Sequence, residues 1–133
     1  MSALVLDTHA LIWYLEKSPR LSGAAHAAIK AAVGSGALLH VSAISLAEIV
    51  YLEEKGRIAA GTFLRVVGEI GRSGSALAEV AFNSIIAEAM TRIPRDIVPD
   101  LPDRILAETA LHLGVPLVTA DLRIRSANLP TIW

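Results

Sequence analysis

Short apolar segments alternate along this chain with segments of helical composition, and this alternation limits the possible folds more than any other feature. Apolar runs that suit buried strands lie at residues 3–7, 38–42, 77–82 and 117–119, and residues 130–133 suit a short edge strand. Segments of helical composition lie at residues 9–16, 24–33, 45–55, 62–70, 84–91 and 104–113. Strands that alternate with helices favour a parallel sheet. The sequence therefore predicts an α/β fold with a mostly parallel sheet.

Size and composition indicate one domain over residues 1–133, because 133 residues suit a single core and 53% of them are hydrophobic. The chain has no cysteine, which excludes disulfides, thiolate metal sites and a cysteine nucleophile. No apolar run reaches the roughly 18 residues of a membrane span. The first strand is expected so close to the start of the sequence that a signal peptide has no room. We therefore expect a cytoplasmic protein without a membrane partner.

Four acids lie where this fold would bind a ligand. Asp7 ends the first apolar run and Asp121 follows the run at 117–119, so both are expected at the carboxyl ends of strands. Open parallel sheets bind ligands at that edge. Glu48 and Asp103 are each expected to open a helix. Carboxylates from four separate segments, brought together, would form a site for a hard cation such as Mg²⁺.

Each acid also has a purely structural explanation. Ser45 and Glu48 match a capping box, in which a serine and a glutamate three residues later satisfy the amides of a helix start. Asp7 and Asp121 suit caps of the helices that would follow them. Asp100 suits the cap of a helix that begins near residue 102.

The acids as a set favour the metal site over capping. The helix dipole explains an acid at Asp103, but serine, threonine or asparagine would cap a helix as well as a carboxylate does. Clustered carboxylates raise one another's pKa, and a cation between them removes that cost. Thr119 precedes Asp121 by two residues, so its hydroxyl is expected on the same side of the strand, where it can orient a carboxylate or a water.

Positive charge is concentrated near the later acids. The formal net charge is −1, and neutralising four site acids would leave about −1 + 4 = +3. The arginines of the last third of the chain are Arg92, Arg95, Arg104, Arg123 and Arg125. Arginine suits phosphate recognition, although for any single arginine a solvated face is the more common explanation.

Several enzyme classes lack their motifs in this sequence. It contains no P-loop, no dinucleotide-binding glycine pattern and no nucleophile elbow. A phosphatase of the haloacid-dehalogenase type would need a second aspartate at position 9, where His9 stands, and a lysine near the later motifs. A different metal-dependent phosphoesterase and a non-catalytic binding module on the same fold remain open as alternatives.

Four segments, taken in order, resemble the motifs of PIN-domain ribonuclease toxins of the VapC type. They are LDTHALIW at residues 6–13, VSAISLAEI at 41–49, DLPDRILA at 100–107 and LVTAD at 117–121. The resemblance covers nearly the whole chain. One departure is Leu101-Pro102, where the subgroup more often has proline followed by phenylalanine, which affects the local loop but not the acid.

The resemblance implies a Mg²⁺- or Mn²⁺-dependent endoribonuclease with a twisted, mostly parallel, five-stranded sheet. It also implies an RNA substrate, a homodimer, and inhibition by an antitoxin protein. The catalytic acids carry over to Asp7, Glu48, Asp103 and Asp121, and the supporting residues to Thr119, Asp100 and Arg104. In this interpretation Asp7, Asp103 and Asp121 hold the metal, and Glu48 contacts it directly or through water. Four acids do not decide between one metal ion and two.

Overall fold

The sheet contains the five strands that the sequence predicts. The structure, a computed structural model, describes residues 3–92 and 94–133. The strands are β1 (Leu4–Leu6), β2 (Leu39–Ser42), β3 (Leu77–Val80), β4 (Leu117–Val118) and β5 (Thr131–Ile132). Their order is β3-β2-β1-β4-β5, and every neighbouring pair is parallel. The α/β prediction is confirmed, and the sheet is parallel throughout.

The helices largely coincide with the predicted segments. They are α1 (Thr8–Glu16), α2 (Gly23–Gly34), α3 (Ala43–Glu54), α4 (Thr62–Gly71), α5 (Ser84–Met90), α6 (Leu101–Leu113) and the short α7 (Leu122–Arg125). The last of these was not among the predicted segments, although the cap predicted at Asp121 implied a helix after it. No helix in the described part of the chain has the length and apolar content that a membrane span requires.

The central strand β1 is buried on both faces. Leu4 and Leu6 belong to one apolar cluster, which also contains Ile29 of α2. Val5 belongs to a second cluster with Leu106 of α6, because successive side chains of a strand point to opposite faces. A continuous apolar run is what a parallel strand covered on both sides requires. The residues that follow β1 are therefore anchored to a strand that is packed on both faces.

The order in which successive strands are added to the sheet reverses between β1 and β4. From β1 the chain adds β2 and β3 on one side, and then it crosses to add β4 and β5 on the other side. Such a switch point leaves a crevice outside the carboxyl ends of the two strands, where open α/β sheets bind ligands. Asp7 directly follows β1, and Thr119 directly follows β4. The topology therefore places both residues at this crevice.

The start of α3 differs from the prediction. Ser42, the last residue of β2, caps the helix by accepting a hydrogen bond from the Ile44 amide at 3.2 Å. The capping box at Ser45 is therefore wrong, because Ser45 lies inside the helix and is buried. Glu48 does not open the helix either but lies in its second turn. Because the cap residue is also the last residue of β2, no loop separates β2 from α3.

Helix α6 begins three residues earlier than the predicted segment at 104–113. Asp100 is its cap and accepts a hydrogen bond from the Asp103 amide at 3.1 Å, as the capping interpretation expected. Pro102 lies in the first turn, where its fixed φ suits a helix and its missing amide proton is not needed. Asp103 is thereby held in the first turn.

Candidate active site

The ends of β1 and β4 bring the first and last acids together. The amide of Asp7 donates to the Val118 carbonyl at 3.1 Å, which continues the pairing of β1 with β4. The Asp7 side chain is only 9% exposed, and burial is the main cause that raises its pKa. The negative charge of Asp121 raises that pKa further. These two carboxylates are therefore close enough to repel each other.

The other acids join this group from α3 and α6. Burial raises the pKa of Asp103 to about 7, and the charges of Asp100, Asp121 and Glu48 contribute to the increase. Burial also raises the pKa of Glu48, and the charges of Asp100 and Asp7 act in the same direction. Pairwise charge interactions thus link five carboxylates, from four segments of the sequence, into one connected group.

Thr119 connects the two strand-end acids. Its side chain is fully buried, and its hydroxyl accepts a hydrogen bond from the Asp121 amide at 3.1 Å. A hydrogen bond between the Thr119 side chain and the Asp7 carboxylate lowers the pKa of Asp7 against the effect of burial. The structure therefore places Thr119 beside both acids, on the side of the strand that its spacing predicts.

Capping and site formation coexist in three of the acids. Asp7, Asp100 and Asp121 each cap the helix that follows, as the structural interpretation predicted. One oxygen of Asp121 accepts from the amides of Arg123 and Ile124 at 2.9 and 3.1 Å. Since a carboxylate has a second oxygen with its own lone pairs, a cap can still bind a ligand. The two interpretations do not exclude each other.

One hydroxyl group contacts Glu48 and a second contacts the first, and neither was among the predicted site residues. The Thr8 hydroxyl lies 2.6 Å from Oε1 of Glu48, and it also lies 2.9 Å from the Ser45 hydroxyl. The available signals were the position of Thr8 next to Asp7 and that of Ser45 one helical turn before Glu48. The second of these signals was misread as a capping box.

The donor set fits a hard divalent cation by its chemistry. The available ligands are carboxylate oxygens, which suit Mg²⁺ and Mn²⁺ better than softer metals. Across residues 3–92 and 94–133, no group of three histidine or acidic side chains is arranged to hold an ion as it stands. The mutual repulsion that raises the pKa of Asp103 opposes a closer approach of these acids, and a cation's charge would reverse it.

The arginines near the acids differ in their surroundings. Arg104 is partly buried, and its guanidinium donates to the Met90 carbonyl at 2.8 Å, which ties α6 to the end of α5. Arg92 lies 3.6 Å from the exposed carboxylate of Glu88. The remaining arginines are exposed: Arg95, Arg123 and Arg125. Contact of any of them with phosphate stays a prediction.

The raised pKa of Asp103 predicts that the metal-free protein loses stability as pH increases. In the unfolded chain Asp103 ionises near its ordinary value of 3.8, whereas in the folded protein it holds its proton up to about 7. The folded state therefore binds more protons between these values, so its free energy of unfolding falls with increasing pH. We expect the melting temperature in EDTA to decrease from pH 4 to pH 7, and more steeply in wild type than in Asp103→Asn.

Thermal unfolding followed by circular dichroism, at half-unit pH intervals, measures this difference. The melting temperature of Asp103→Asn should still decrease with pH, but less steeply, because the pKa values of Asp7 and Glu48 are also raised. Identical slopes for wild type and Asp103→Asn would contradict the raised pKa of Asp103.

Comparison of the sequence with known proteins agrees with the geometry. Residues 4–128 match the family model of the PIN domain. The chain is 32% identical over 136 residues to Ribonuclease VapC22 of Mycobacterium tuberculosis, and the match covers 100% of both chains.

Comparison of the structures finds the same fold. VapBC2 from Rickettsia felis, bound to a DNA fragment from its promoter, superposes with a TM-score of 0.69 at 17% identity, covering 97% of this chain and 96% of that one. A toxin–antitoxin complex from Klebsiella pneumoniae gives 0.64 at 19% identity, covering 98% and 96%. VapBC-1 from nontypeable Haemophilus influenzae gives 0.64 at 18% identity, covering 97% and 96%. The predicted fold is shared with these structures over nearly its whole length.

Proposed function

The chain belongs to the PIN-domain family, and from that premise we propose that it is a metal-dependent endoribonuclease and the toxin of a toxin–antitoxin pair. The observation that carries the proposal is the group of mutually coupled carboxylates at the switch point between β1 and β4. The ribonuclease named among its relatives, similar over its full length, supports the same activity.

We assign the metal ligands to Asp7, Asp103 and Asp121, with Glu48 contacting the ion directly or through a water. When bound, Mg²⁺ or Mn²⁺ lowers the pKa of a water and offsets negative charge on the phosphoryl and leaving oxygens. The helix caps restrain the carboxylates of Asp7 and Asp121, and Thr119 restrains the Asp7 carboxylate and the Asp121 backbone amide. A water that gives up a proton would attack phosphorus in line, the bond to the leaving oxygen would break, and that oxygen would take up a proton.

This reaction needs no protein nucleophile, in agreement with a chain that has neither a cysteine nor a nucleophile elbow. The exposed Arg123 and Arg125 lie on α7, directly after Asp121. We propose that they contact the RNA backbone, because guanidinium groups recognise phosphate without regard to base sequence.

We also propose a homodimer and an antitoxin partner. The structural neighbours include a toxin–antitoxin complex, and the fold they share with this chain supports a partner of that kind. The surface offers one place for it, a groove of about 640 Å³ lined by residues that include Trp13, Tyr14 and Leu15 of α1. An amphipathic helix binds a groove of this kind through regularly spaced apolar side chains.

Expression of the chain alone should arrest bacterial growth, and co-expression of the antitoxin encoded beside it should restore growth. Asp121→Ala should not arrest growth, because it removes a proposed metal ligand. Asp96→Asn provides a matched control, since Asp96 is an exposed acid outside the carboxylate group and its loss should leave the arrest intact. Optical density after induction measures all of these strains, with protein levels checked by immunoblotting.

The toxin assignment fails if wild type and Asp121→Ala are equally harmless at equal protein levels. If both arrest growth equally, the metal site is not the cause of the arrest. A non-catalytic binding module on this fold would give metal binding without metal-dependent RNA cleavage, which purified protein distinguishes.

A further inference from the structure

Two buried hydroxyl groups form a chain of hydrogen bonds that ends at Glu48. Thr8 is the first residue of α1 and is 4% exposed, and Ser45 lies in the first turn of α3 and is fully buried. The Thr8 hydroxyl oxygen is 2.9 Å from that of Ser45 and 2.6 Å from Oε1 of Glu48. These contacts span 37 and 40 residues of sequence, so they join α1 to α3.

The direction of these hydrogen bonds follows from the number of protons. A threonine hydroxyl has one proton, and an ionised carboxylate has none. Thr8 must therefore donate to Glu48, and the proton between the two hydroxyl oxygens must come from Ser45. The order of donation is Ser45 to Thr8 to Glu48. Each hydroxyl is satisfied by the next group, which removes the cost of burying it.

This arrangement restricts how Glu48 can present its charge. Ser45 and Glu48 are three residues apart on α3, so they share one face of the helix. Glutamate has several rotatable bonds, and a charge-assisted hydrogen bond of 2.6 Å to a buried threonine selects one of its conformers. With Oε1 bound by Thr8, Oε2 is the oxygen left for a metal ion or its water.

We propose that Thr8 and Ser45 are positioning residues for the nuclease reaction, acting through Glu48 by fixing its carboxylate so that one defined oxygen serves the metal site. This inference rests on the proposed function, since it needs a metal ion for Glu48 to serve. Groups that orient a ligand in this way typically contribute 10- to 100-fold to metal affinity or activity.

The test replaces Thr8 with valine, which keeps the branched shape but removes the hydroxyl, and with serine, which keeps the hydroxyl. Thr62→Val is a matched control, because Thr62 also begins a helix, is 8% exposed, and donates a 2.6 Å hydrogen bond, but to the Ala59 carbonyl. The measurements are the dissociation constant for Mn²⁺, by calorimetry, and kcat and KM for RNA cleavage.

Thr8→Val should weaken Mn²⁺ binding about 10-fold and lower kcat about 10- to 100-fold with little change in KM for RNA. Thr8→Ser should remain within about threefold of wild type, and Thr62→Val should match wild type. Ser45→Ala should give a smaller loss in the same direction, because Thr8 then keeps its bond to Glu48 but loses its own donor. If Thr8→Val does not fold, Ser45→Ala still tests the inference.

A double-mutant cycle with Glu48→Gln separates positioning from general packing. If Thr8 acts through Glu48, adding Thr8→Val to Glu48→Gln should change Mn²⁺ affinity by less than about twofold. An equal loss in both backgrounds overturns the inference, and so does a Thr8→Val protein with the affinity and kcat of Thr62→Val. Failure of the proposed function has a different result, in which wild type itself neither binds Mn²⁺ nor cleaves RNA.

Discussion

Replacing Asp7 with asparagine should reduce RNA cleavage about a thousandfold, the largest effect expected of any single substitution in this chain. Asp7 is the most buried of the proposed ligands, at 9% exposure, and it lies at the switch point on the central strand. A metal ion contributes several kcal/mol to such reactions, and each 1.36 kcal/mol is tenfold in rate. Asparagine keeps an oxygen that can accept the Ala10 amide, so the cap on α1 remains.

Cleavage of a fluorescent RNA, measured with Mg²⁺, with Mn²⁺ and in excess EDTA, tests this expectation. Asp96→Asn should cleave at the wild-type rate, because it removes an acid of the same type from an exposed position outside the site. Undiminished wild-type cleavage in EDTA would reject metal catalysis altogether. Full activity of Asp7→Asn that remains metal-dependent would remove Asp7 from the ligand set but leave the other acids.

The sequence predicted the fold well because its signals are local. A run such as residues 117–119 is short and rich in β-branched residues, which favours a buried strand, and the proline at 102 marks the beginning of α6. Because the carboxyl ends of parallel strands share one edge of a sheet, Asp7 and Asp121 were expected at the same edge. That inference needs only the alternation of strands with helices, not the details of packing.

The surroundings of Glu48 could not be predicted in the same way. Two serines, Ser42 and Ser45, lie where either could begin α3, and the local pattern favoured Ser45 because a glutamate follows three residues later. The structure selects Ser42 as the cap and buries Ser45 against Thr8, a contact across 37 residues. Tertiary packing decides between these serines, so the role of Thr8 appears only when α1 and α3 are placed together.

Substitutions at Asp121 separate its role as a cap from its role as a ligand. Asp121→Asn keeps an oxygen for the amides of Arg123 and Ile124 but removes the charge, whereas Asp121→Ala removes both. In EDTA, Asp121→Asn should be at least as stable as wild type, because it relieves repulsion with Asp7 and Asp103. Asp121→Ala should be less stable than Asp121→Asn by about 0.5–2 kcal/mol, the usual value of a helix cap.

The change in melting temperature on adding Mn²⁺ should show whether Asp121 is a metal ligand. A ligand that binds only the folded state stabilises it by about 2.7 kcal/mol at 100 times its dissociation constant. Wild type should therefore gain clearly in melting temperature when Mn²⁺ replaces EDTA, while both Asp121 variants should gain little. Thermal unfolding of the three proteins under both conditions provides all the comparisons. If both variants gained as much as wild type from Mn²⁺, with only Asp121→Ala destabilised in EDTA, Asp121 would be a helix cap and not a metal ligand.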